Sequence, residues 1–219
     1  MEKALTPFTS AVVLAAGASR RFKDNKLLQR VVIDGRTLSL IRLLVEKLCS
    51  ISEVSEVIVV VGHEAERVIE ELRDLNVQFI YNKDYSTKGM SSSVKAGLSK
   101  ALERADIVLI HPGDIPFISR ETISKCVKMA LELHKELHEF ILIARYSGRS
   151  GHPVIISSKN LIKEALSISE ETLGLKGFIA KNIDKVLYCE AKDLGVLFDV
   201  DTPEDLAKAE EVFKVKWVH

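Results

Sequence analysis

Residues 11–26 read AVVLAAGASRRFKDNK, an apolar run that passes through small residues into a cluster of cations. The run Ala11 to Leu14 is typical of a buried strand. The small residues after it, with Gly17 among them, would let the backbone approach a ligand closely. The cations of this turn are Arg20, Arg21, Lys23 and Lys26. Because guanidinium and ammonium groups bind phosphate oxygens, the turn indicates a ligand that carries phosphates.

Short apolar runs of the same type recur along the rest of the chain, at 57–61, 77–81, 107–110, 140–144 and 154–156. Most are separated by amphipathic segments of helical period, such as 38–48 and 94–102. This alternation predicts βαβ units and an α/β fold, a three-layer α/β/α sandwich with a mostly parallel, Rossmann-like central sheet. After Arg145 we expect a loop-rich YSGRSGHP, two helices and a strand at 185–189 on the same sheet.

Composition narrows the class of protein. The 31 Lys and Arg residues balance 31 Asp and Glu residues, so net charge favours neither a nucleic acid nor a membrane as a partner. Cys49, Cys126 and Cys189 are widely spaced, which disfavours a disulfide framework and a zinc ribbon. The first ten residues have no apolar signal region, and no linker or repeat interrupts the chain. We therefore expect a single cytoplasmic domain over residues 1–219.

In open α/β sheets, ligands bind beyond the carboxyl ends of the strands. After the run at 77–81 we expect a long loop that ends in GMSSS. Residues 111–116, HPGDIP, follow one apolar run, and Gly113 and Pro116 enclose Asp114 there. One carboxylate at that place suits Mg²⁺, which takes its remaining ligands from phosphate and water. A simple turn capped by Asp114 would explain the same residues.

Residues 198–206, FDVDTPEDL, contain a second group of carboxylates. Thr202 and Pro203 are sufficient to explain a helix start. The helix start does not explain Asp199 and Asp201. On a short strand the two side chains would point to the same face. Either could be a second magnesium ligand.

Other motifs are weaker or missing. The first loop has neither GxGxxG nor GxxxxGK[ST]. His134 and His138 have the spacing of a zinc pair, but HKELH lacks the glutamate of HExxH and no third ligand is evident. SGRSG at 147–151 is not GxSxG, which disfavours covalent serine chemistry.

Five motifs of the chain, in their order, resemble those of the MobA-like NTP transferases, most closely the CTP:molybdopterin cytidylyltransferase type. The motifs are LAAGASRRFKDNK, GMSSSV, HPGDIP, GHPV and FDVDTPEDL. The resemblance runs from about Ala11 to the C-terminal helix and implies a sheet of the nucleotide-diphospho-sugar transferase type. The family pattern LAAGxSxRMGxxK places Arg21 and Lys26 in register. Phe22 and Lys23 stand where Met and Gly are usual.

The resemblance implies a role for each of several residues. Catalysis would use Arg21, Lys26 and Asp114. The nucleotide would contact Leu14, Ala15, Ala16, Gly17, Ser19, Lys26, Gly89, Ser91 and Ser92, and the stretch 89–93 as a whole would help hold the base or substrate. Mg²⁺ would be held by Asp114 together with Asp199 or Asp201.

The implied reaction moves a nucleoside monophosphate to a phosphorylated acceptor such as molybdopterin and releases pyrophosphate. CTP is favoured over GTP, because Ala16 supplies a methyl group where the guanylyltransferases of the family carry glycine. The alternatives are a sugar-phosphate nucleotidylyltransferase, a catalytically weak nucleotide-binding module and a nucleotide-sugar glycosyltransferase. The last normally has a DxD pair, whereas HPGDIP has one Asp.

One segment departs from the cytidylyltransferases. Where they carry GDxGAR, residues 174–179 read GLKGFI, with the glycine spacing kept and the acidic residue and arginine absent. We interpret Leu175, Phe178 and Ile179 as an altered acceptor loop, with Lys176 as a substitute cation. This interpretation predicts weak or altered activity on molybdopterin.

Overall fold

The computed structural model describes residues 6–19 and 21–218. Within them the strands are β1 (Thr9–Ala15), β2 (Arg30–Ile33), β3 (Arg36–Ser39), β4 (Glu56–Val61), β5 (Gln78–Tyr81), β6 (Ile107–Pro112), β7 (Ile141–Tyr146), β8 (Arg149–Ser157), β9 (Val186–Ala191) and β10 (Lys216–Val218). The α-helices are α1 (Leu40–Cys49), α2 (Ala65–Leu72), α3 (Gly89–Ala101), α4 (Arg120–Glu136), α5 (Lys159–Ala165), α6 (Gly174–Lys181) and α7 (Pro203–Phe213). None of the helices in these residues is long and apolar enough to span a membrane.

Seven strands form the central sheet in the order β5-β4-β1-β6-β8-β7-β9. β1 pairs in parallel with β4 and β6, as do β4 with β5 and β7 with β9. Only β8 among these strands runs antiparallel to its neighbours. The prediction of a mostly parallel sheet is confirmed. The carboxyl ends of β1, β4, β5 and β6 therefore lie at one edge, where their loops meet.

Helices cover both faces of this sheet. Val13 of β1 belongs to the apolar cluster that contains buried residues of α1, α2 and α4. Its neighbour Val12 belongs to the cluster on the other face, with α3, α5 and α6. Successive side chains of a strand point to opposite faces, so one short apolar run supplies both cores. The predicted three-layer sandwich is confirmed.

A second, three-stranded sheet has the order β10-β2-β3 and was not predicted. Asp34 and Gly35 join β2 to β3 with φ of +49° and +73°, the left-handed conformation of a tight hairpin. The helix expected at 38–48 therefore begins later: Ser39 caps α1 by accepting a hydrogen bond from the Arg42 N–H at 3.2 Å. This sheet packs with α7 in a third apolar cluster.

Three local expectations were wrong. The loop-rich YSGRSGHP is the β7–β8 hairpin, which turns at Ser147 and Gly148 with φ of +48° and +77°. Residues 198–201 form no strand; instead the Val200 N–H donates to the Asp114 carbonyl oxygen at 2.8 Å. GMSSS is the start of α3 and not the end of a loop. The strand expected at 185–189 is present as β9.

Candidate active site

The loop after β1 is held by hydrogen bonds within itself and to neighbouring loops. Ser19 Oγ accepts a hydrogen bond from the Lys26 N–H at 3.1 Å, and the buried Asn25 accepts one from the Leu27 N–H at 3.0 Å. The Ala16 carbonyl oxygen accepts from the His63 N–H at 3.2 Å. Arg20 lies outside the described residues. These hydrogen bonds fold the loop back toward the sheet, so that Lys26 lies beside the carboxyl end of β1.

Lys26 links two carboxylates that are distant in sequence. Its Nζ lies 2.7 Å from Asp114 Oδ2 and 2.8 Å from Asp201 Oδ1. Burial disfavours the charged ammonium, but the two carboxylates outweigh it and raise the pKa of Lys26 above its ordinary value. The hydrogen bond from Lys26 lowers the pKa of Asp201, with Arg21 adding to the effect. The site therefore holds one cation between two anions.

Asp114 is positioned by a close contact between β1 and β6. The Gly113 N–H donates to the Leu14 carbonyl oxygen at 2.9 Å, and a Cβ on Gly113 would lie 3.0 Å from that oxygen. Any larger residue would push the two strand ends apart. Asp114 is therefore presented directly beside the end of β1.

Asp201 is positioned by the start of α7. The Asp205 carboxylate accepts hydrogen bonds from the N–H groups of Asp201 at 3.1 Å and Thr202 at 2.9 Å, which forms a capping box. Asp199 is exposed and joins no ion pair in the described part of the chain. Of the two candidate ligands, the structure brings Asp201 to Asp114 and leaves Asp199 apart.

The other predicted cation, Arg21, lies at the rim. Its side chain is 66% exposed, and its Nη1 lies 2.8 Å from Asp201 Oδ2. Asp201 thus joins Arg21 and Lys26, which are five residues apart on the loop. Both cations remain close enough to act on one ligand.

A cavity of about 330 Å³ opens beside these charges. Six predicted site residues line it: Leu14, Ala16, Gly17, Lys26, Gly89 and Asp114. Met90 and Ser93, which belong to the stretch 89–93 implied by the resemblance, also line it, whereas sequence reasoning missed Tyr85 and Ser86. Four predicted nucleotide contacts, Ala15, Ser19, Ser91 and Ser92, are not among its lining residues. A larger open groove of about 840 Å³ lies against α2, away from the two carboxylates.

Tyr85 reaches the cavity because Gly62 has no side chain. A Cβ on Gly62 would lie 2.7 Å from Tyr85 Cγ and 2.8 Å from Ala16 Cβ. The residue after β4 must therefore be glycine for the first loop and the loop after β5 to meet there. The sequence signal was Gly62 itself, directly after the apolar run 57–61.

The larger groove is lined largely by arginines that pair with carboxylates. Arg30 pairs with Glu71 at 2.8 Å, and Arg42 pairs with Asp74. Arg67 forms two bonds to Asp24, at 2.5 and 3.0 Å. The smaller cavity is the better candidate site, because six of the predicted site residues line it and none of them lines the groove.

The expectation that GLKGFI forms a loop was wrong. Residues 174–179 form the first turns of α6, and Phe178 is 5% exposed in the apolar core. Leu175 and Ile179 pack against the same cluster. Only Lys176 of the substituted residues is exposed. Three apolar residues within five positions of a helix are explained by packing of that helix against the core.

The histidines at zinc spacing have other surroundings. His134 Nδ1 lies 2.8 Å from Ser157 Oγ, and α4 ends at Glu136, before His138. Among the described residues, no three His, Cys, Asp or Glu side chains are grouped as a metal site. Any divalent ion here would therefore depend on two carboxylates and on its substrate.

The carboxyl edge of the sheet carries a cationic loop and two carboxylates that lie close together. This arrangement is typical of α/β proteins that bind nucleotides. A family model described as the MobA-like NTP transferase domain matches residues 11–186. The chain therefore belongs to the MobA-like NTP transferase family, which is a family of nucleotidyltransferases.

Individual relatives differ in their substrates. The chain is 28% identical over 218 residues to a probable molybdenum cofactor guanylyltransferase of Natranaerobius thermophilus, covering 94% of this chain and 96% of the relative. It is 25% identical over 158 residues to the molybdenum cofactor cytidylyltransferase of Escherichia coli, covering 72% and 75%. It is 27% identical over 198 residues to the bifunctional protein GlmU of Caldicellulosiruptor saccharolyticus, covering 87% of this chain and 40% of the relative. The chain thus spans less than half the length of the GlmU relative.

Among solved structures, a nucleotidyl transferase from Methanothermobacter thermautotroptrophicus superimposes with a TM-score of 0.75 at 22% identity. The alignment covers 94% of this chain and 98% of the other. At that identity the likeness concerns the fold.

Proposed function

We propose that the protein transfers a nucleoside monophosphate from a nucleoside triphosphate, CTP by preference, to a phosphorylated acceptor. A phosphate oxygen of the acceptor attacks the α-phosphorus. The bond from the α-phosphorus to the oxygen that bridges to the β-phosphate breaks, and pyrophosphate leaves. The observation that carries the proposal is the convergence of Lys26, Asp114 and Asp201 beside the cavity.

The donor set fits Mg²⁺. Asp114 Oδ2 and Asp201 Oδ1 both lie within 2.8 Å of the Lys26 ammonium, so the two carboxylates are close enough to share one ion when Lys26 turns to a phosphate oxygen. Mg²⁺ characteristically uses one or two carboxylates and completes its shell with phosphate and water. When bound, the ion would neutralise phosphate oxygens of the triphosphate.

Chain residues supply the remaining charge and alignment. Lys26, whose pKa is raised, stays protonated at neutral pH and would neutralise a phosphate oxygen together with Arg21. Gly17 and Ala18 line the cavity and would present a narrow backbone surface to the phosphates. Nucleotidyl transfer needs alignment and neutralisation and no covalent nucleophile.

The preference for CTP rests on Ala16. Its methyl group lines the cavity beside Tyr85 and would narrow the space for a purine. One methyl group discriminates by about 1 to 3 kcal/mol, so GTP would bind more weakly and would not be excluded. Calorimetry that shows tighter binding of GTP than of CTP would reverse this assignment.

The test is a pyrophosphate-release assay with CTP, GTP, UTP and ATP, each with several acceptors. The acceptors are molybdopterin, a sugar 1-phosphate and a polyol phosphate, because relatives include molybdenum cofactor transferases, GlmU and a 2-C-methyl-D-erythritol 4-phosphate cytidylyltransferase. We expect release with CTP to depend on the acceptor, and turnover of molybdopterin below about 1 per second. Nucleotide binding without release for any acceptor would favour a catalytically weak binding module.

A further inference from the structure

The side chain of Asn82 lies buried between the end of β5 and the first turn of α3. It is 5% exposed, and its backbone N–H donates to the Val61 carbonyl oxygen at 2.8 Å. Its amide contacts three other residues by hydrogen bonds: Asp84, Ser92 and Ser93. A buried amide needs such partners, because an unsatisfied one is costly.

The chemistry of these partners determines the orientation of the amide. The Asp84 N–H lies 3.0 Å from Asn82 Oδ1, and a backbone N–H can only donate. The other end of the amide must therefore be the NH₂ group. It lies 2.8 Å from Ser92 Oγ and 3.0 Å from Ser93 Oγ, so both hydroxyl oxygens accept from Asn82.

The two serines use their protons differently. Ser92 Oγ donates to the Gly89 carbonyl oxygen at 2.8 Å, so its hydroxyl is satisfied. No acceptor within the described residues takes the proton of Ser93. Ser93 is 5% exposed and lines the cavity that also contains Lys26 and Asp114. A buried hydroxyl whose oxygen already accepts is left to donate to whatever fills that cavity.

We propose that Asn82 is a positioning residue that keeps the Ser93 hydroxyl a hydrogen-bond donor toward the nucleobase. The group recognised is an acceptor on the base edge, such as a pyrimidine carbonyl oxygen. Cytosine offers O2 and N3 as adjacent acceptors, which fits the proposed preference for CTP. The inference rests on the proposed function, since it assumes that the cavity binds a nucleotide.

The test substitution is Asn82→Asp, which reverses the polarity at one atom. One carboxylate oxygen can still accept from the Asp84 N–H, so the loop keeps that bond. The other oxygen cannot donate, and the nearby N-terminus of α3 favours the ionised form. The Ser93 hydroxyl must then donate to the carboxylate and presents its lone pairs to the cavity. By calorimetry, we expect affinity for CTP to fall by about tenfold to a hundredfold.

Inorganic tripolyphosphate separates this effect from a general loss of structure. It has no base, so its affinity in N82D should fall less than that of CTP, since the added carboxylate repels both anions. A merely structural role for Asn82 would weaken both ligands together and lower the melting temperature in parallel. Equal loss of CTP and tripolyphosphate binding would overturn the proposal.

Ser93→Ala supplies a second, less disruptive variant, with Ser99→Ala on the exposed part of α3 as its matched control. We expect S93A to weaken CTP binding about as much as N82D, and S99A to leave it unchanged. Because Asn82 acts through Ser93, the double variant N82D/S93A should bind CTP no more weakly than S93A. Additive losses of CTP affinity in the double variant, or wild-type affinity in S93A, would contradict the proposal that Asn82 acts through Ser93. Failure of the unmodified protein to bind any nucleotide would instead refute the proposed function.

Discussion

Asp114 and Asp201 share one ammonium group, so removing either carboxylate changes the charge at the centre of the site. We expect Asp114→Asn to lower turnover by about two orders of magnitude or more, since charge stabilisation is a large contribution to phosphoryl transfer. The Gly113 N–H still bonds to Leu14, so the fold should be kept. Steady-state pyrophosphate release and thermal unfolding measure the two effects. Unchanged turnover at saturating magnesium would remove Asp114 from the site.

Asp199 and Asp201 form a matched pair two residues apart. Asp201 lies 2.8 Å from Lys26, whereas Asp199 is exposed and outside the cluster. Asp201→Asn should therefore lower turnover by about a hundredfold, and Asp199→Asn by less than about threefold. Steady-state turnover at several Mg²⁺ concentrations compares them. A larger loss in D199N would show that the segment rearranges when substrate binds.

At the scale of elements, the first loop is fastened to α2 by a pair of bonds between Asp24 and Arg67. These bonds lie at the far end of the loop from Ala16 and restrain the residues proposed to surround phosphate. The pair is about half exposed, so it contributes only about 0.2 to 1 kcal/mol. Asp24→Asn should weaken CTP binding about twofold to fivefold at pH 7 with little change in turnover at saturation. Equal affinity by calorimetry would show that the loop is ordered without Arg67.

The same pair predicts a dependence of stability on pH. The hydrogen bond from Arg67, followed by that from the Asn25 N–H, lowers the pKa of Asp24 from 3.8 to about 2. A carboxyl with a depressed pKa stabilises the folded state above its ordinary pKa and loses that contribution as the pH falls. The difference in urea unfolding between wild type and D24N should be constant from pH 7 to about 5 and shrink below about 4. A difference that grows at low pH would contradict this assignment.

Across the whole molecule, the prediction from sequence agrees with the structure where burial alone determines which segments form strands. The runs at 57–61 and 107–110 became central strands because only parallel strands covered on both faces are apolar throughout. β2 and β10 were missed because they are short and mix charged residues with apolar ones. Lys26 is separated in sequence from Asp114 by 88 residues and from Asp201 by 175, so no local pattern can predict that they meet. That grouping came from the resemblance to a family.

The apolar residues of α6 allow the sequence interpretation and the structure to be compared directly. Phe178 belongs to the cluster that joins α3, α5 and α6 to the sheet, including Val12 of β1. Phe178→Ala should therefore lower the free energy of unfolding by about 3 to 5 kcal/mol, the usual cost of removing a buried aromatic ring.

In urea unfolding, the midpoint of F178A should fall with an unchanged slope, because the same surface becomes exposed. Lys176→Ala is the matched control on the same helix, since Lys176 is exposed and its loss should change stability by less than about 0.5 kcal/mol. At a temperature where F178A is still folded, its affinity for CTP should match the wild type, because Phe178 does not line the cavity. If F178A instead kept its stability and lost only turnover with acceptor, Phe178 would belong to the acceptor site. The departure from GDxGAR would then be a change of substrate specificity and not of core packing.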